Sequence, residues 1–223
     1  MSVTRIKICG LTNLADARLA ATAGADLLGF IFYEPSPRYV PPTTVSRIVA
    51  ALKEELAAPP QFVGVFVNTL LAEVEDTLAG CDLDLAQLHG DEGADAIRHF
   101  QGRAYKAANP RSLAEATTLA GQFLVGGAPF LLLDAYHPHL RGGTGHTADW
   151  AMAAQIAQAH PILLAGGLTA DNVAQAIQAV RPWGVDVSSG IEASKGQKDR
   201  HKLQAFIKTV QQSNQPTNQP TNQ

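Results

Sequence analysis

Two reactive side chains stand where an apolar run gives way to a loop. Cys9 closes "RIKIC" ahead of Gly10, and Asp134 closes "FLLLD". A thiol works as a base only as its thiolate, and with a free pKa near 8.5 only about a few per cent ionises at neutral pH unless cations or backbone dipoles help. A carboxylate ending a buried strand where it meets a loop is the second group whose position favours a function. Each also has a plainer account. A buried cysteine packs as a small hydrophobe, and an aspartate at a strand end can cap the following turn. Three glycine-rich segments add a further function: "GGTG" at Gly142–Gly145, with Gly143 and Gly145 in it, "AGG" with Gly166 and Gly167, and "SSG" with Ser188, Ser189 and Gly190. Glycine lets backbone N–H groups approach an anion, and a helix N-terminus adds favourable partial charge. Singly these are ordinary turns; together, at successive strand ends, they favour a phosphorylated ligand.

The elements that must position these groups follow from hydrophobic periodicity. Short β-rich runs ("RIKIC", "LLGFIF", "FVGVFV", "LDLAQLH", "AYKAA", "FLLLD", "PILLAG", "GVDVSS") alternate with Ala-rich segments such as "PTTVSRIVAALKEEL" and "TADNVAQAIQAV", whose apolar positions recur at three and four. The alternation repeats about every 25 residues, enough for one βα unit each time. Eight such units predict a single closed (β/α)₈ barrel, an α/β fold with outer helices, over residues 1–212; an open doubly wound sheet is the alternative. Residues 213–223, "SNQPTNQPTNQ", have nothing apolar to bury and are expected to be a disordered tail.

In such a barrel the strands' C-terminal ends carry the active site. Side chains two apart share a strand face. With Ile6 and Ile8 toward the helices, Arg5, Lys7 and Cys9 point inward; so do Gln87 and His89, and Asp186 and Ser188. Inward charge needs a partner, so Lys7 and Lys106 are expected to find groups such as Asp186 or to lie near the solvated mouth. His89 is a ligand-contact candidate at the mouth. Arg38, in "SPRYV", could grip a carboxylate in a bidentate fork or be a solvated loop arginine. Cys81, in "AGCDLD", lies at the wrong end of a strand and reads as packing.

Composition narrows the classes. The chain has 223 residues, 46% of them hydrophobic, and a formal net charge of -3. Nothing in that balance suggests nucleic acid, two cysteines make no disulfide framework, and no apolar run approaches a membrane span. The start lacks the pattern of a signal peptide, so a cytoplasmic protein is expected, as a monomer or homodimer. His137, His139 and His146 cluster in sequence, but no Cys or carboxylate completes a ligand set at metal spacing, so no metal is expected.

"KICG", "SPRYV", "QLHG", "LLLD", "GGTG" followed by "DW", "AGGL...NV" and "GVDVSSGIE" followed by "KD" together resemble the phosphoribosylanthranilate isomerase family of tryptophan biosynthesis. The resemblance runs from Arg5 to about Lys202. It implies a cofactor-free Amadori rearrangement of a phosphoribosyl-anthranilate, with Cys9 as general base and Asp134 as general acid. It also implies Arg38, His89 and Asp186 as substrate contacts. Ala148 stands where the family often has an aromatic, and His146 where a lysine is common. The related isomerase of histidine synthesis uses paired aspartates, whereas strand one here ends in cysteine. An indole-forming synthase would want a lysine at a strand end, and Lys7 and Lys106 lie too deep. A non-catalytic phosphate-binding barrel would need the glycine loops but neither Cys9 nor Asp134.

Overall fold

The computed structural model describes residues 3–124, 129–134 and 150–215. In chain order its elements are β1 (Arg5–Ile8), α1 (Leu14–Ala23), β2 (Leu27–Ile31), α2 (Pro42–Glu55), β3 (Gln61–Phe66), α3 (Leu71–Gly80), β4 (Leu85–Leu88) and α4 (Ala94–His99). They continue with β5 (Ala104–Ala108), α5 (Leu113–Leu124), β6 (Leu131–Asp134), α6 (Trp150–Ala159), β7 (Ile162–Ala165), α7 (Val173–Val180), β8 (Gly184–Val187), a 3₁₀ turn (Ser189–Ile191), the hairpin β9 (Glu192–Ser194) and β10 (Gln197–Lys198), and α8 (Arg200–Ser213).

Strands β1 to β8 pair in parallel in sequence order, and β8 returns to β1 with Lys7 opposite Asp186. That last pairing decides for the closed barrel over the open sheet, since closure leaves no unpaired strand edge. The strands are short and largely buried because helices cover the outside and side chains fill the inside; Leu131, Leu132 and Leu133 of β6 are all buried. The helices bury one stripe each, as Val45, Ile48, Val49 and Leu52 do in α2. Helix α1 starts where the Asn13 side chain accepts the Asp16 N–H and stops at Gly24, whose φ of 104° is left-handed. Toward the N-terminal end of the barrel Phe130 stacks on Trp183, ring centroids 4.3 Å apart, and meets Tyr105 at a tilt with centroids 4.4 Å apart.

Two expectations are corrected and one is met. Arg5 does not fill the interior; it stands at the barrel's lower rim, half its side chain in water, and pairs with Asp26 at 2.7 Å. Lys106 finds the carboxylate partner expected of it, in Glu92 at 2.8 Å from the loop after β4. The boundary at residue 212 is too early. Helix α8 continues through Ser213, and Asn214 then bonds Thr4 twice: its Oδ1 accepts the Thr4 N–H at 2.8 Å and its Nδ2 donates to the Thr4 carbonyl at 3.1 Å. The Thr4 N–H and carbonyl, ahead of β1, are thereby satisfied by the residue that caps the last helix. Residues 216–223 of the expected tail lie outside the described residues.

Candidate active site

Cys9 follows β1 directly, its N–H still donating to the Val187 carbonyl at 2.9 Å, and its side chain is buried at the upper end of the barrel. Below it lies Lys7, wholly buried, which donates to Asp186 Oδ1 at 2.8 Å and to Gln87 Oε1 at 3.0 Å. The expected pairing of Lys7 with Asp186 is therefore present. Burial pushes the Cys9 thiol above its ordinary range; Lys7 pulls the other way, Asp186 adds to the rise and Lys198 opposes it. Lys7 itself stays charged: burial would strip its proton, but Asp186 more than offsets that. Gly29 of β2 makes room for the pair. A Cβ there would sit 2.9 Å from the Cys9 sulfur and 3.2 Å from Lys7 Nζ.

The hairpin β9–β10 folds back over the start of α1 and fixes the loop after Cys9. Thr12 Oγ1 donates to the Gly196 carbonyl at 2.6 Å, and the Lys198 N–H donates to Asp16 Oδ2 at 3.0 Å. Lys198 Nζ donates to the carbonyls of Cys9 at 2.7 Å and Ser188 at 3.2 Å and to Glu192 Oε1 at 3.0 Å. Glu192 in turn accepts a bidentate pair from Arg38, Nε to Oε1 and Nη2 to Oε2, both at 2.7 Å. Burial alone would raise the Glu192 carboxyl, but Arg38 and Lys198 outweigh it and hold it low. Arg38 crosses Gly10 so closely that a Cβ at Gly10 would lie 2.6 Å from its Cδ. Neither solvated nor loose, Arg38 uses one edge of its guanidinium on Glu192, and among the described residues its Nη1 has no acceptor.

Glu192 and Lys198 were not legible as site residues. Lys198 lies in the "KD" that accompanies the resemblance, and that pair was the available signal. Asn68, at the end of β3, turns out to organise the loop after β4: in left-handed conformation (φ 52°), it accepts the Asp91 N–H through Oδ1, while its own N–H goes to Glu92 at 2.7 Å.

His89 follows β4 and stands exposed in the mouth, its Nδ1 3.2 Å from Gln87 Nε2. Protein around the ring excludes enough water to lower its pKa; Asp134 and Asp186 oppose that change while Lys7 and Lys106 reinforce it. Asp134 ends β6, half-buried. Across the next two strands the glycine segments come together. Gly166 and Gly167 turn the chain at φ 101° and 62°, and Asn172 braces this loop by accepting the Thr169 N–H at 2.8 Å and donating to the Gly167 carbonyl at 2.9 Å. Gly190 packs directly on the Leu168 carbonyl oxygen, 1.9 Å from where a Cβ would be, so only glycine fits. Ser188 and Ser189 leave the strand, contrary to the expected "GVDVSS", and Ser189 opens the 3₁₀ turn. Gly143 and Gly145, with His137, His139, His146 and Ala148, lie outside the described residues.

This geometry can be set beside known proteins. The sequence model of the N-(5'phosphoribosyl)anthranilate (PRA) isomerase family matches residues 6–209. The chain is 44% identical over 208 residues to the N-(5'-phosphoribosyl)anthranilate isomerase of Geobacter metallireducens, covering 92% of this chain and 98% of that one. The phosphoribosyl anthranilate isomerase of Thermotoga maritima is 37% identical, with a TM-score of 0.83 over 94% of this chain and 100% of its own. A phosphoribosyl anthranilate isomerase in complex with reduced 1-(o-carboxyphenylamino)-1-deoxyribulose 5-phosphate gives 35% identity and a TM-score of 0.80 over the same shares. With a family match spanning nearly all of the barrel and relatives of this identity over nearly their full length, the chain belongs to the N-(5'-phosphoribosyl)anthranilate isomerase family.

Proposed function

We propose that this chain catalyses the Amadori rearrangement of N-(5-phosphoribosyl)anthranilate to 1-(2-carboxyphenylamino)-1-deoxyribulose 5-phosphate, a step of tryptophan biosynthesis, with Cys9 as general base and Asp134 as general acid. One observation carries the assignment: around the closed barrel the order β6, β7, β8, β1 puts Asp134, the Gly166–Gly167 loop, the Ser188–Gly190 turn and Cys9 side by side. A phosphate held on the two middle loops places its sugar between the acid on one flank and the thiol on the other.

The chemistry uses both. Protonated Asp134 delivers its proton to the ring oxygen as the C1–O bond breaks, and the anilino nitrogen lone pair forms the Schiff base. Its positive charge acidifies the C2 proton and stabilises a thiolate nearby. Cys9 takes that proton, and the C2–H electrons flow into C1=N to leave an enolamine, which tautomerises to the ketone by losing the C2 hydroxyl proton and gaining one at C1. Oxidation at C2 balances reduction at C1, so the reaction calls for no external oxidant, reductant or cofactor. Burial raises the Cys9 thiol, Lys7 and Lys198 oppose that rise, and the cationic Schiff base further favours the thiolate fraction that accepts the C2 proton.

Arg38 offers its Nη1 end to the anthranilate carboxylate, held in place by Glu192. His89 and Asp186 contact the sugar. Gly166, Gly167, Ser188, Ser189 and Gly190 bind the phosphate, together with Gly143 and Gly145. Among the described residues no helix is long and apolar enough to cross a membrane; a cytoplasmic enzyme, monomer or homodimer, is the setting we propose. The test is to generate phosphoribosylanthranilate in situ and follow loss of its fluorescence. Acceleration by the protein is expected, and competitive inhibition by inorganic phosphate with it. No acceleration would remove the proposal.

A further inference from the structure

Gln87 lies in the barrel interior, and the hydrogen-bonding groups around it leave its amide only one orientation. Its Oε1 accepts from Lys7 Nζ at 3.0 Å and from the Tyr105 hydroxyl at 2.9 Å. An ammonium has only protons to offer. The Tyr105 hydroxyl is fully buried, and burial raises its pKa far above the ordinary phenol range, so it keeps the proton it donates. Flipping the amide would set its NH₂ against these two donors. Its Nε2 therefore faces His89 Nδ1, 3.2 Å away, as a donor. A ring nitrogen that accepts a hydrogen bond carries no proton.

We infer that Gln87 is a positioning residue that sets the tautomer of His89, holding the ring neutral with its proton on Nε2, on the side turned away from the barrel floor and toward the substrate. The inference rests on the reading of His89 as a substrate contact for its kinetic consequence, but not for the tautomer itself. A neutral Nε2–H is a hydrogen-bond donor for a sugar oxygen or for the Asp134 carboxylate once its proton has left. Protonating Nδ1 would turn it against Gln87 Nε2, so the same contact disfavours the imidazolium. Of the charged groups whose fields reach the ring, Asp134 and Asp186 favour its charged form while Lys7 and Lys106 oppose it, and Gln87 is the group in contact with Nδ1 among the described residues. The chain of donors runs from the ion pair beneath the thiol through Lys7 and Gln87 to His89, so one buried network orients groups on both sides of the mouth.

The test reads the tautomer directly by ¹⁵N NMR of the histidine-labelled protein, with His89→Asn to assign the resonances. At neutral pH the wild type is expected to show Nε2 protonated and Nδ1 as an unprotonated acceptor. Nδ1 protonated, or an imidazolium, overturns the inference. Gln87→Glu supplies a carboxylate that can only accept, so His89 is expected to move its proton to Nδ1 or to become charged, with kcat down about 10-fold or more and KM little changed, the signature of a misplaced proton. An unchanged His89 spectrum in that variant also overturns it. Gln87→Met, which removes the donor without adding charge, should leave a mixture of tautomers and an intermediate kcat. Wild-type protein with the expected tautomer but no isomerase turnover would instead remove the functional reading and support the inference about Gln87.

Discussion

The side-chain ammonium of Lys198 donates to the backbone carbonyl of Cys9 at 2.7 Å. A residue 189 positions further along the chain thus holds the end of the first strand, and its charge favours the thiolate of the residue that the proposed mechanism uses. The same ammonium reaches the Ser188 carbonyl and Glu192, so strand ends β1 and β8 and the Arg38 clamp share one buried cation.

Lys198→Met should therefore damage both stability and chemistry. Breaking a buried, hydrogen-bonded ion pair by removing one partner costs about 3–5 kcal/mol, chiefly because Glu192 loses a counter-charge and two carbonyls lose their donor. Thermal or urea unfolding should show that loss. At a temperature where the variant is folded, alkylation of Cys9 by iodoacetamide should be slower at fixed pH, since a positive charge that favours the thiolate is gone. An unchanged alkylation rate would confine Lys198 to a structural role.

Gly29→Ala tests how tightly the thiol is seated. The added methyl would meet the Cys9 sulfur at 2.9 Å and the Cys9 Cα at 3.2 Å, and backbone on one side cannot move away cheaply. Overpacking of this kind costs about 1–3 kcal/mol. The larger effect should fall on kcat, because the sulfur must shift from its line to the sugar. If kcat and stability both match the wild type, the space beside Cys9 is not constrained as described.

Much of this site was legible in the sequence because strand periodicity alone assigns faces: Ile6 and Ile8 outward put Lys7 and Cys9 inward, and Val185 and Val187 outward put Asp186 beside Lys7. The partner of Lys106 was not. Glu92 belongs to a loop whose path depends on Asn68 in a left-handed conformation, and no periodicity reports a loop. Lys198 escaped for a related reason. A lysine in a short hairpin reads as a solvated charge, and only the docking of that hairpin on Thr12 and Asp16 buries it. Gly29 was hidden inside a β-rich run, where its missing side chain matters only once β1 is known to lie alongside.

The end of α8 gives a graded prediction. Truncation after Gln215 should leave the melting temperature unchanged, whereas truncation after Gln212 removes Asn214 and with it two bonds to Thr4. Each such bond is worth about 1 kcal/mol net, so a loss of about 1–3 kcal/mol is expected, read as a shifted urea midpoint. Asn214→Ala in the full chain should reproduce most of it. Equal stability of the two truncations would mean that the Thr4 contact contributes nothing in solution.

The last prediction concerns the thiol and the carboxyl themselves. Cys9→Ala removes the proposed base and Asp134→Asn keeps the shape of the acid without its proton, so each should lower kcat about 10²- to 10⁴-fold with little change in KM, the usual worth of general acid–base catalysis. Cys9→Ser should be nearly as poor, a hydroxyl being far less acidic than a thiol. The pH dependence of alkylation supplies the sign. Burial raises the Cys9 thiol, so its reactive form gains population only as pH climbs, and the inactivation rate with iodoacetamide should still be rising above about pH 8.5, where a free thiol is already half ionised. A bound product analogue should protect. Cys81, against the Pro42 carbonyl between α2 and α3, should be replaceable by serine without changing either behaviour. Full kcat in Cys9→Ala would return that thiol to packing and send the search for the base to His89 and Asp186.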